Sequence, residues 1–148
     1  MKQCRRYERG QTLLEIVVAL GVIAVVLTGL VTAVTASLRY SQVSKYRSQG
    51  VKFAQEGVEL ARKLRDTSPW ADFSAYSSGT GAWCLNEAGS WSVSDGSGCP
   101  IAVGSTFWRT VTFVLSGSVM DVTSEVSWGD RSTGSTVTLR TYLSDWRQ

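Results

Sequence analysis

The chain has 148 residues, with 15 Lys and Arg against 12 Asp and Glu, 43% hydrophobic residues and no histidine. Without histidine, the commonest general base and the commonest metal ligand are both missing, so the composition points away from an enzyme. The net charge of +3 is local: Lys2, Arg5, Arg6 and Arg9 against Glu8 account for all of it, and the remainder carries 11 charges of each sign.

Residues 1–10 are hydrophilic and basic, and an apolar run follows the segment Arg9-Gly10-Gln11-Thr12-Leu13-Leu14-Glu15. From Ile16 to Leu38 no side chain is charged over 23 residues. At about 1.5 Å per helical residue that is roughly 35 Å, enough to cross a bilayer core. The basic residues should hold the N-terminus on the cytoplasmic side, giving a single-pass protein of the cytoplasmic membrane whose C-terminal part is exported. Glu15 stands at the mouth of the run, where a carboxylate costs about 2.5–3.5 kcal/mol or more. Either it has a partner, or it sits at headgroup level without a role.

A short basic leader ending in Gly10, the Thr-Leu-x-Glu spacing of Thr12 to Glu15, and the apolar run through Leu20 together resemble the processing signal of type IV prepilins and type II secretion pseudopilins. The resemblance implies cleavage of the Gly10–Gln11 bond by a prepilin peptidase and methylation of the new Gln11 amine. It also implies that Glu15 pairs with the free α-amino group of a neighbouring subunit. The implied partners are that peptidase, other pilin or pseudopilin subunits and an inner-membrane assembly platform. Two departures matter: the first mature residue is Gln11 where Phe is usual, and Thr32 stands where many major pilins have a helix-kinking proline, the first proline here being Pro69. Both favour a minor pilin or pseudopilin over a major fibre subunit.

Other targeting signals fit less well. A cleavable secretory signal has a shorter apolar stretch and a small-residue cleavage site, and a lipoprotein needs a cysteine just after the cut, whereas Cys4 lies inside the leader. An ordinary signal anchor explains the apolar run and its basic flank but not Gly10 and Glu15.

Past the apolar run the pattern turns amphipathic: Val43, Tyr46, Val51, Ala54, Val58, Ala61 and Leu64 recur near one helical face. One helix is expected from about Leu13 to Arg65, its outer half carrying a globular domain. Seven basic residues between Arg39 and Arg65 face two acids, Glu56 and Glu59, which reads as a solvated face or as a contact with an acidic neighbour. Thr67-Ser68-Pro69 ends the helix.

The stretch to Gly104 is rich in Gly and Ser yet holds Trp70, Phe73, Tyr76, Trp83 and Trp91, too many large rings for a solvated linker. They are expected to pack on the helix, with short strands near Trp91–Val93 and Ile101–Val103; exposed tryptophans binding a sugar or surface are the competing reading. Cys84 and Cys99, with 14 residues between them, suit a disulfide in an exported domain. A zinc site lacks ligands. Asp95-Gly96-Ser97-Gly98 lacks the ordered acids of a calcium loop and reads as a turn.

Three strands follow, Phe107–Leu115, Val119–Trp128 and Thr136–Tyr142, separated by Gly/Ser turns. Alternation turns Val111, Phe113, Leu115, Val122, Val126, Trp128, Val137, Leu139 and Leu143 toward the helix, and Thr123, Glu125, Thr138 and Arg140 away. The expected fold is α+β, a long N-terminal helix packed on a small antiparallel sheet, which is also the pilin architecture. It divides into a leader over 1–10, a membrane helix over 11–38, an amphipathic helix over 39–66 and an exported domain over 67–148.

The part after Asp66 has four arginines against seven acids, so no nucleic acid is expected as a partner. No cofactor and no catalysis are expected either, since Asp121, Glu125 and Asp130 show no sign of pairing for acid–base work. The functional expectation is a minor pilin or pseudopilin in a pilus or secretion filament. The alternative is a single-pass anchored binding module that forms no filament.

Overall fold

The computed structural model describes residues 11–79, 81–94, 99, 102–104, 106–129 and 134–146. The leader, the Asp95–Gly98 segment, Ile101, Asp130 and Arg131 lie outside the described residues. The chain forms two compact units, residues 1–43 and 44–148. Helix α1 runs from Gln11 to Thr67. Among the described residues of the first unit it is the one element, and Thr12 through Val43 are exposed along its whole circumference.

In the second unit the rest of α1 covers one face of an antiparallel sheet. A stripe of small and apolar residues makes this possible: Gly50, Ala54, Gly57, Val58 and Ala61 are all buried, at spacings that keep them on one side of a helix. Val43 and Tyr46, assigned to that face from periodicity, are instead 63% and 42% exposed. The helix stops where proline dictates. Ser68 N–H donates to the Leu64 carbonyl at 3.0 Å, and the Pro69 carbonyl accepts from Phe73 N–H at 3.0 Å as the short helix α2, Trp70–Ser74, begins. A 3-10 turn, Ala75–Ser77, completes the bend.

The strands are β1 (Ala82–Leu85), β2 (Trp91–Val93), β3 (Ala102–Val103), β4 (Phe107–Ser116), β5 (Val119–Trp128) and β6 (Ser135–Ser144). Their order is β2-β1-β4-β5-β6, with β3 also pairing β4. The C-terminal meander therefore forms as its alternation dictates, Phe113 facing Val122 and Thr123 facing Arg140 across the ladders. Gly81 joins the bend to the sheet. It adopts φ +61°, and a Cβ there would lie 2.5 Å from the Phe113 carbonyl oxygen, while its own carbonyl accepts from Phe113 N–H at 2.7 Å. Glycine is needed on both counts.

Two clusters form the core. One gathers Ala61, Phe73, Leu85, Val111, Phe113, Met120, Val122 and Leu143; the other gathers Ala54, Val103, Phe107 and Val126. The loop aromatics belong to the first. Tyr76, Trp91 and Phe73 stand 5.6, 5.6 and 5.9 Å from Phe113, centroid to centroid, and Trp83 Nε1–H donates to the Tyr76 carbonyl at 2.8 Å. That is packing with the indole polar atom satisfied. Leu115 departs from its expected inward place and is 42% exposed. It lies beyond the aromatic cover, which ends at Phe113, next to the hairpin turn into β5.

Candidate processing and assembly segment

The residues singled out for processing and assembly lie at the start of α1. Gly10 falls outside the described residues, and Gln11 opens the helix. Glu15 follows one turn later. The first turn contains no acid, so Glu15 is the first carboxylate of the described helix, exposed and flanked by Leu14, Val18 and Ala19.

From there the surface is apolar. Leu14 is 69% exposed and Leu38 60%, and the helix holds a window of mean hydropathy 2.7 that is long and apolar enough to cross a membrane. Its threonines do not spoil this. Thr28 Oγ1 donates to the Ala24 and Val25 carbonyls at 3.0 and 2.9 Å, Thr32 to Gly29 at 2.8 Å, and Thr35 to Val31 and Thr32 at 3.0 and 2.9 Å. Each hydroxyl is satisfied inside its own helix, which removes most of the cost of placing it in hydrocarbon. A continuous apolar surface of this extent is far larger than soluble monomers carry and calls for lipid or other helices around it.

The second unit holds the remaining candidates. Cys84 and Cys99 are bonded, their Cα atoms 5.2 Å apart. Asp121 and Arg140 form a two-toothed ion pair across β5 and β6, Nε donating to the carboxylate oxygens at 2.7 and 2.9 Å. The Arg140 guanidinium holds the Asp121 carboxyl below the usual carboxylate range.

Arg109 was given no role from the sequence. Its side chain is fully buried. Nη1–H donates to the Phe53 carbonyl at 3.0 Å and to Glu56 Oε2 at 3.2 Å, Nη2–H to the Asn86 carbonyl at 2.9 Å, and Nε–H to the Leu85 carbonyl at 3.4 Å. Burial pulls the guanidinium below its usual range, and the Glu56 and Glu87 carboxylates push it back. It remains charged. Gly57 gives the arginine room, because a Cβ there would press on Arg109 Cδ at 3.2 Å. One cation thus fastens α1, β4 and the β1–β2 turn. The signal was present in the alternation Phe107-Arg109-Val111-Phe113, which puts Arg109 on the inward face.

Residues 5–31 match the family model described as the prokaryotic N-terminal methylation motif. This segment is a prepilin signal of the type IV pilin and pseudopilin kind. Such a signal implies processing by a prepilin peptidase. No curated protein and no solved structure matches the chain. The match ends inside the apolar run, so the second unit is described by its own geometry alone.

Proposed function

We propose that the chain is a minor pilin or pseudopilin, cut at Gly10–Gln11, methylated on the Gln11 amine and assembled into a type IV pilus or type II secretion filament. What carries this reading is the prepilin signal running directly into a helix that is apolar and exposed on every side. Residues 1–10 are the leader, 11–38 the membrane and assembly helix, 39–66 its amphipathic continuation and 67–148 the exported domain. Before assembly the helix crosses the cytoplasmic membrane once, N-terminus inside. An inner-membrane platform then transfers it from lipid to a bundle of like helices, where small-residue packing replaces acyl chains. Glu15, desolvated in that bundle, is neutralised by the α-amino group that cleavage creates on a neighbouring subunit. Without such a partner the carboxylate would cost about 2.5–3.5 kcal/mol.

The test is intact-mass and N-terminal analysis of the protein coexpressed with a prepilin peptidase, wild type against Gly10→Ala. Loss of residues 1–10 and a methylated Gln11 amine are expected in the wild type alone. An intact N-terminus beside an active peptidase would overturn the reading and leave an anchored binding module.

A further inference from the structure

The basic residues of α1 are not all engaged alike. Arg62 pairs with Glu59 at 2.8 Å and Arg65 with Asp66 at 2.7 Å. Arg39, Lys45, Arg47 and Lys52, which follow the apolar run most directly, are exposed, and among the described residues no ion pair forms to any of them. The sequence offers them no local partner, since no Asp or Glu occurs from Ile16 to Gln55. A second copy of α1 lacks acids over the same stretch. Cations are ordinarily scarce on the exported flank of a membrane span, so four of them within residues 39–52 call for an anionic neighbour that the chain itself does not supply.

The first of these cations borders a groove with two unlike ends. Thr32, Thr35 and Ala36 line one end, Arg39, Tyr40 and Val43 the other. The threonine hydroxyls are turned back onto the Gly29, Val31 and Thr32 carbonyls, so the inner end offers methyl groups. Tyr40 is 76% exposed just past Leu38, the last residue of the uncharged run. That is the level at which tyrosine and arginine settle between hydrocarbon and headgroups. A soluble anion would leave the methyl end empty, and an acidic protein segment would have to set its carboxylates beside hydrocarbon. A phospholipid of net negative charge meets both ends at once.

We propose that the exported end of the apolar run is a binding site for an anionic phospholipid of the surrounding leaflet. The Arg39 guanidinium takes the phosphate through two parallel N–H donors, the Tyr40 hydroxyl donates to the same headgroup, and the first acyl carbons lie along Thr35 and Ala36. Lys45, Arg47 and Lys52 add attraction for anionic headgroups, which falls off over a Debye length of about 8 Å at physiological salt. The proposal rests on the reading of α1 as a membrane helix and concerns the protein before assembly, so it needs neither cleavage nor a filament.

For the test, the full chain is reconstituted in phosphatidylcholine vesicles holding a trace of phosphatidylglycerol or phosphatidylcholine with a nitroxide near the end of one acyl chain. The motionally restricted share of the electron paramagnetic resonance spectrum gives the association of one lipid relative to the other. Phosphatidylglycerol is expected to be preferred about threefold or more, and the preference to shrink in about 1 M salt. Arg39→Gln/Tyr40→Leu, both at exposed positions, should lose about half of the preference or more, and Lys45→Gln/Arg47→Gln/Lys52→Gln a smaller part. Lys63→Gln, which removes an exposed cation outside the stretch, should leave it unchanged. Equal association of the two lipids with the wild type would overturn the proposal. So would a preference that Arg39→Gln/Tyr40→Leu does not lower, which would place the selective lipid at the basic leader instead. Failure of the chain to enter the vesicles would overturn the proposal together with the membrane reading, whereas entry without selectivity overturns the proposal alone.

Discussion

At the residue scale, Arg109 and Ser124 show two opposite fates of a buried polar group. The Arg109 guanidinium is enclosed and bonded to three carbonyls and one carboxylate, whereas Ser124 Oγ is buried with no hydrogen-bond partner among the described residues. Replacing Arg109 by Ala would leave a cavity and strip the Leu85 and Asn86 carbonyls of a donor. A cost of about 3 kcal/mol is expected, read from urea unfolding of the detergent-solubilised chain by near-ultraviolet circular dichroism. Glu56→Gln in the same assay should cost under about 1 kcal/mol, because the Glu56 side chain is 47% exposed and water screens what it contributes. Comparable losses for the two variants would mean that the ion pair, not the carbonyl bonds, fixes Arg109.

At the scale of elements, α1 approaches the sheet closely because it lacks side chains where it crosses β5. A Cβ on Gly57 would lie 2.4 Å from Ser124 Oγ, and one on Gly50 2.7 Å from the Trp128 ring. Alanine at position 57 gains about 1 kcal/mol of helix propensity but overpacks the junction by about 1–3 kcal/mol. Gly57→Ala is therefore expected to lower the thermal midpoint, and Gly57→Ala/Ser124→Ala to recover most of the loss, since the second change removes both the clash and an unpaired hydroxyl. A midpoint raised by Gly57→Ala alone would show that the junction is slack. The long strands and the helix were legible in the sequence because each repeats one signal, alternation or the 3.6-residue period, over ten residues or more. The prepilin signal was legible because its chemistry is local in the chain. β1 was not, since Ala82-Trp83-Cys84-Leu85 is too short to alternate visibly and apolar on both faces. The Arg109 site was not either, for it joins residues 53, 56, 85, 86 and 109 that only the completed fold brings together.

At the scale of the whole molecule, the Cys84–Cys99 bond, spanning 15 residues, closes a loop that includes Leu85 and Asn86. Two of the three carbonyls that hold Arg109 are thus inside the covalent ring, the Phe53 carbonyl of α1 being the third. Cys84→Ala/Cys99→Ala should cost about 3 kcal/mol by the loop-entropy relation. Combined with Arg109→Ala it should cost less than the sum, because a loosened turn has already weakened the cage. Strict additivity in that double-mutant cycle would separate the two devices. The fastening by Arg109 also has a mechanical side. Arg109 ties the outer part of α1 to β4, a strand flanked by β1 and β3 on one side and β5 on the other, so a load on that part of the helix is taken up in the middle of the sheet. Arg65 adds a second hold at the edge strand, its Nη1–H donating to the Ser144 carbonyl of β6 at 3.0 Å. The domain is in this sense held by its helix at two depths of the sheet, once in the middle and once at the rim.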